Sequence, residues 1–160
     1  MAEGPSTWDP YASPVLDATD VDGKKVTFDR FRGKNILLIF YPAGECPQCV
    51  AQLVELGKRR NAFLQSDVEF VVVSGDSPAQ ITALAKASDP HIQLLWDPNF
   101  EDTRRFHAYD DFEDMPLNSI NMIDKHGKVH WFRTGGDPFT DYDFLLKEVQ
   151  RMNDATVKAN

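Results

Sequence analysis

Two apolar runs of strand length, Ile36-Leu37-Leu38-Ile39-Phe40-Tyr41 and Val68 to Ser74, flank a segment with helical periodicity. A run without polar alternation suits a strand buried on both faces, so the first of them belongs in the middle of a sheet. Between them Cys49, Val50, Leu53, Leu56 and Phe63 recur at helical spacing, from Cys46 to about Leu64. Strand, helix and strand in that order make a crossover unit with parallel strands. The chain is therefore expected to be α/β.

Short signals place the other elements. Val15 to Thr19 and Lys25 to Phe28 flank Asp22-Gly23, a hairpin turn signal because glycine tolerates positive φ. Ser77-Pro78-Ala79-Gln80 combines a cap, a proline at the first helical position and a capping-box glutamine, and starts a helix to about Ser88. Ile92 to Trp96 reads as a strand, and Asp97-Pro98 as the start of a helix ending near Arg104 to His107. Asn118 to Ile123 and Val129 to Arg133 form a hairpin around Asp124-Lys125-His126-Gly127, and a last amphipathic helix runs from about Asp141 to Met152. A parallel half thus joins an antiparallel half, a thioredoxin-like plan: a mixed central sheet flanked by helices, with an N-terminal β-hairpin. At 160 residues one core suffices. Residues 1–14 read as a flexible leader, 15–153 as the domain and 154–160 as a tail.

Charge narrows the partners. A net charge of −8, without a Lys/Arg stripe, argues against nucleic acid. No apolar run reaches the ~18 to 20 residues of a membrane span, and the N-terminus lacks a basic region followed by an apolar stretch. A soluble protein is expected, cytoplasmic unless a targeting segment was removed.

The two cysteines, Cys46 and Cys49, sit where the central strand gives way to the helix. Three positions apart, they cannot close a long structural loop, so their pairing would be a local switch. A thiol attacks only as thiolate, and a helix start favours the anion through its unpaired N–H groups and dipole. Pro47 fixes φ there and needs no donor. Zinc would require further ligands, and His91, His107, His126 and His130 fall in separate elements, so neither a metal nor another cofactor is expected. Inert core packing is the remaining bland reading of the pair.

Asp22-Gly23-Lys24-Lys25-Val26-Thr27-Phe28, Phe31-Arg32-Gly33-Lys34, the run ending Phe40-Tyr41-Pro42, Ser74-Gly75-Asp76-Ser77 and Met122 to Val129 together resemble the peroxiredoxins. The resemblance is to their alkyl hydroperoxide reductase and thiol-specific antioxidant branch, within the thioredoxin superfamily, over about residues 15–150. That family's Pro-x-x-x-Thr-x-x-Cys pattern is matched in spacing by Pro42-Ala43-Gly44-Glu45-Cys46-Pro47-Gln48-Cys49, with cysteine in place of threonine. The resemblance implies that Cys49 takes oxygen from a hydroperoxide and becomes a sulfenic acid, that Cys46 condenses with it to a disulfide, and that a thioredoxin-like or small-thiol reductant resets the pair. It also implies an arginine six residues before Asp124, where this chain has Asn118; Arg104, Arg105 and Arg133 are candidates to replace it.

The Cys-x-x-Cys pair is equally the mark of thioredoxin-like disulfide exchangers, in which Cys46 would attack a protein disulfide and Cys49 resolve. The proline such proteins carry opposite the dithiol would fall near Asn118, and Pro116 is two residues early. Three readings therefore stand: a peroxidase, a protein-disulfide reductase, and a redox-sensing module that turns nothing over. Tyr41, Pro42, Glu45, Pro47 and Asn118 surround the pair; Asp76 reads as a turn and helix-start residue, and Trp96, Phe106, His130, Trp131 and Phe132 as packing. Glu45 suits a helix start, where carboxylates are favoured; the functional alternative is that a carboxylate beside a thiol opposes its ionisation and leaves Cys46 less acidic than the thiols of strong oxidants. Absorbance titration at 240 nm tests this: ionisation of Cys46 well below about pH 6 would contradict it.

Overall fold

The computed structural model describes residues 9–42, 47–87 and 90–159. Its chain order is β1 (Tyr11–Ala12), β2 (Ala18–Asp20), β3 (Lys25–Val26), a 3-10 turn (Phe28–Phe31), β4 (Asn35–Tyr41), α1 (Pro47–Lys58), α2 (Arg60–Leu64), β5 (Val68–Ser74), α3 (Pro78–Ala87) and β6 (Gln93–Trp96). There follow α4 (Glu101–Arg105), β7 (Tyr109–Asp110), β8 (Met115–Pro116), β9 (Ser119–Ile123), β10 (Lys128–Thr134) and α5 (Tyr142–Ala159). Eight strands form one mixed sheet in the order β1-β10-β9-β4-β5-β6-β2-β3, and β7 with β8 forms a small second sheet.

Strand β4 is the axis of this sheet. It runs parallel to β5, from Asn35 opposite Val68 to Tyr41 opposite Ser74, and antiparallel to β9, with Phe40 opposite Ser119. All seven of its residues are buried, as the unbroken apolar run requires. Its two faces serve two cores. Leu37, Ile39 and Tyr41 face a cluster with Cys49, Leu53 and Leu56 of α1, Phe63 of α2, Ile81 of α3 and Leu145, Val149 and Met152 of α5. Ile36, Leu38 and Phe40 face a second cluster with Leu16, Ala18, Val26, Phe31, Phe106 and Ala108.

Most expected elements appear, with boundaries moved for local reasons. Gly23, at φ +81, makes the entry turn, but only Ala18–Asp20 and Lys25–Val26 pair, and Phe28 belongs to the 3-10 turn that delivers Phe31 to the core. The expected helix to Leu64 is broken at Arg59, just after Gly57, where φ −99 and ψ 6 leave helical geometry; glycine lowers helical stability there. The resulting turn sends Phe63 into the core, edge-on to Phe70. The capping box of α3 forms on both sides, Ser77 N donating to Gln80 Oε1 and Gln80 N to Ser77 Oγ. After β6 the helix begins at Glu101 rather than at Asp97-Pro98. Asp97 still caps it, accepting from Glu101 N and from Thr103 N and Oγ1, because Phe100 takes a left-handed conformation at φ 54 and lets the chain fold back.

Tyr11 and Ala12, within the segment read as a leader, pair with Val129 and Lys128, and α5 continues past Met152 to Ala159, across residues read as a tail. The β9–β10 turn is closed by Asp124, which accepts from His126 N and Lys128 N and lies 2.7 Å from His130 Nε2. Trp131 beside it is fully buried. No helix among the described residues is long and apolar enough to cross a membrane.

Burial pulls the Asp124 carboxyl upward, but the His130 ring and the two backbone donors together hold it below the usual carboxylate value. A carboxylate with a depressed folded pKa contributes stability that is present above its unfolded pKa and lost as pH falls through the folded one. Asp124→Asn should therefore lose about 1.5–3 kcal/mol at pH 7, and its deficit against the wild type should shrink as pH drops below about 4. Urea unfolding at pH 7 and pH 3 checks this; a deficit independent of pH would contradict it.

Candidate functional site

The site forms where β4 ends and α1 begins. Tyr41, the last residue of β4, is buried, and Pro42 after it is half-buried. Pro47 and Gln48 open α1 at the surface, while Cys49 turns inward and is only 2 % exposed. The first turn of α1 carries no acidic residue among the described positions, so the helix dipole acts on Cys49 without a carboxylate in that turn. Cys49 is disulfide-bonded. Cys46, the other cysteine of the chain, and Glu45 lie outside the described residues, as do Ala43 and Gly44.

Asn118, just ahead of β9, meets Cys49 from the neighbouring strand. Its Oδ1 stands 3.5 Å from Cys49 Sγ, while its Nδ2 donates to Gly136 O at 3.0 Å and its own carbonyl accepts from Gly135 N at 2.8 Å. The loop after β10 is tied to α1 by a further bond, from Gln52 Nε2 to Phe139 O at 2.8 Å. Gln52 lies one turn beyond Cys49 and is buried. A groove of about 460 Å³ runs between that helix face and the loop, bordered by Gln48, Ala51, Glu55, Asp137, Pro138 and Tyr142.

A second polar group sits on the face of the sheet that carries Cys49. The Tyr41 hydroxyl lies 3.4 Å from Asp76 Oδ2, and Asp76 N donates to Ser74 Oγ at 3.0 Å. Burial, with the Asp76 carboxylate adding to it against an opposing bond from Ser74, pushes the Tyr41 phenol up to about 12. Tyr41 is thus a neutral donor at any physiological pH.

The structure brings Cys49, Asn118, Tyr41 and Pro42 to one end of the sheet, and moves two arginine candidates away from it. Arg104 pairs with Asp111 and lies over the Tyr109 ring, and Arg105 pairs with Asp102 and donates to Val15 O. Pro116 pairs with Tyr109 in the small sheet, and no peptide bond is cis among the described residues. Sequence reasoning did not single out Gln52, the loop around Gly135 to Phe139, or the Ser74–Asp76 partnership with Tyr41. For Gln52 a signal existed: it is a polar residue three positions after Cys49 on the apolar stripe of α1.

Comparison with known proteins points the same way. The family model described as AhpC/TSA matches residues 11–132. The chloroplastic peroxiredoxin Q of Gentiana triflora is 32% identical over 139 residues, covering 86% of this chain and 64% of that protein. The chloroplastic peroxiredoxin Q of Populus jackii is 31% identical over 143 residues, 88% of this chain and 67% of that one. The chain therefore spans about two thirds of the length of these relatives. Among solved structures, AhpC of Enterococcus faecalis superposes with a TM-score of 0.76 at 19% identity, over 96% of this chain and 93% of that one. A peroxiredoxin Q structure from Xanthomonas campestris gives 0.75 at 16% identity, over 85% and 90%. At these identities the structures speak for the fold.

Proposed function

The chain belongs to the AhpC/TSA family, and from that premise we propose that it is a thiol peroxidase that reduces hydroperoxides through a Cys46/Cys49 dithiol cycle. The observation that carries this reading is the placement of Cys49: third residue of α1, at the C-terminal end of the central strand, with the Asn118 side chain against its sulfur. The relatives that share this scaffold are named peroxiredoxins.

The chemistry proceeds in three balanced steps. The Cys49 thiolate attacks the terminal oxygen of ROOH, an S–O bond forms as the O–O bond breaks, and the departing RO⁻ takes up a proton to leave as ROH. The Cys46 sulfur then displaces hydroxide from the Cys49 sulfenic acid; with the thiol proton this leaves as water, and a disulfide remains. An external dithiol, of thioredoxin type or a pair of small thiols, returns two electrons and two protons and is itself oxidised to a disulfide. The helix start lowers the energy of the thiolate in the first step, and burial excludes competing nucleophiles. Such a cycle suits a reducing aqueous compartment, and we favour the cytoplasm unless a targeting segment was removed from the chain.

Burial of Cys49 favours a second reading, disulfide exchange in which Cys46 makes the attack and Cys49 resolves. Peroxide is small enough for a recessed sulfur, whereas a protein disulfide needs an exposed one. Stopped-flow fluorescence separates the two, because Trp131 shares a core cluster with Cys49 and reports on its state. Mixed with hydrogen peroxide, the reduced protein should show a fast phase that survives Cys46→Ser and vanishes in Cys49→Ser. Negligible reaction with peroxide, beside insulin reduction that depends on Cys46, would establish the exchanger instead.

A further inference from the structure

Asn118 leaves a deficit of positive charge at the sulfur. Its Nδ2 is committed to Gly136 O, which turns the carbonyl oxygen Oδ1 toward Cys49 Sγ. In the reduced protein an amide oxygen in that position accepts from a thiol S–H and repels a thiolate. Breaking the O–O bond of a peroxide also builds negative charge on the departing oxygen, and a cation beside it would lower the barrier. The helix dipole supplies part of the charge needed at the sulfur.

The described arginines near the sheet are mostly engaged with carboxylates: Arg30 with Asp20, Arg32 with Asp29, Arg59 with Asp143, Arg104 with Asp111, Arg105 with Asp102 and Arg151 with Glu148. Arg133 is held differently. Its guanidinium lies over the Phe139 ring, with Cζ 5.3 Å from the centroid, and no carboxylate among the described residues forms an ion pair with it. On β10 it is paired with Ile120 of β9, and Ile120 belongs to the same core cluster as Cys49. Asn118 stands two residues before Ile120, so the alternation of strand side chains places Asn118, Ile120 and Arg133 on the face of the sheet that α1 covers.

A small, partly open cavity joins these residues. It measures about 10 Å³, room for one water-sized centre, and is bordered by Asn118, Arg133, Gln52, Gly135, Asp137 and Phe139. Of these, Asn118 lies against Cys49 Sγ and Gln52 is one helical turn from Cys49, so the cavity links Arg133 to the surroundings of the sulfur. Asp137 is the one carboxylate that borders it among the described residues. We propose that Arg133 supplies the positive charge of the peroxide site from β10, the neighbour of the strand that Asn118 leads into, holding the RO⁻ oxygen as Cys49 takes the terminal oxygen. The inference rests on the peroxidase reading above. In the balanced step, the Cys49 sulfur keeps the terminal OH, the O–O electron pair goes to the RO oxygen, and the Arg133 N–H groups bind that oxygen until water protonates it. Arg133 also lowers the energy of the Cys49 thiolate before attack.

The test uses the full chain with Arg133→Met, Arg133→Gln and Arg133→Lys, each checked by circular dichroism and urea unfolding, with Arg59→Met as a distant control. Peroxide rate constants come from stopped-flow fluorescence, and the Cys49 thiol is titrated at 240 nm in a Cys46→Ser background. Arg133→Met and Arg133→Gln should slow peroxide reaction by about 10²-fold and raise the Cys49 pKa. Arg133→Lys should recover part of both, and Arg59→Met should change neither. If Arg133→Met fails to fold, Arg133→Gln, which keeps a polar stem without the charge, decides the question. A fast wild type whose rate and thiol pKa survive Arg133→Gln overturns this inference alone. A wild type no faster than a free thiol overturns the peroxidase reading and this inference with it.

Discussion

Everything in this molecule is placed by the double burial of β4. Each of its residues is enclosed, its edges are hydrogen-bonded to β5 on one side and β9 on the other, and its two faces feed both cores. Burying a Leu, Ile or Phe side chain contributes roughly 1.5–3 kcal/mol, so a strand of this kind cannot slip register without forfeiting several such contributions. Its last residue, Tyr41, therefore ends at a fixed point, and the chain must turn there to start α1. Cys49 is carried to the edge of the sheet by that geometry, and β9 brings Asn118 to meet it because Phe40 pairs with Ser119.

Electrostatics then decides what the sulfur can do. The helix start favours a thiolate, the Asn118 carbonyl opposes it, and the Arg133 guanidinium, lying over Phe139, restores the balance on the proposed account. Tyr41 stays neutral and donates toward Asp76, so it orders the polar edge of the sheet without adding charge. The loop from Gly135 to Phe139 holds this arrangement together through its bonds to Asn118 and Gln52.

The parts of the fold written in local patterns were legible in the sequence. The unbroken run Asn35–Tyr41, the capping box at Ser77 and Gln80, and the Asp22-Gly23 turn each encode their own geometry in a few adjacent residues. What was not legible depends on distant partners. Strand β1 exists only because β10 offers it an edge, and the helix after β6 starts late because Phe100 adopts a left-handed turn over Gly75. In the site, the strand-to-helix junction pointed to Cys49, and register pointed to Asn118. That Arg104 and Arg105 are tied to Asp111 and Asp102, while Arg133 has no ion pair among the described residues, could be seen only once the chain was folded.

The central claim is that Cys49, not Cys46, takes the oxygen. Treating reduced Cys46→Ser with one equivalent of hydrogen peroxide, trapping with a sulfenic-acid-selective carbon nucleophile and sequencing peptides by mass spectrometry reads this directly. The account predicts a trapped adduct on Cys49, and none on Cys46 when Cys49→Ser is treated alike. An adduct on Cys46 in Cys49→Ser, with Cys49 left unmodified in Cys46→Ser, would contradict it.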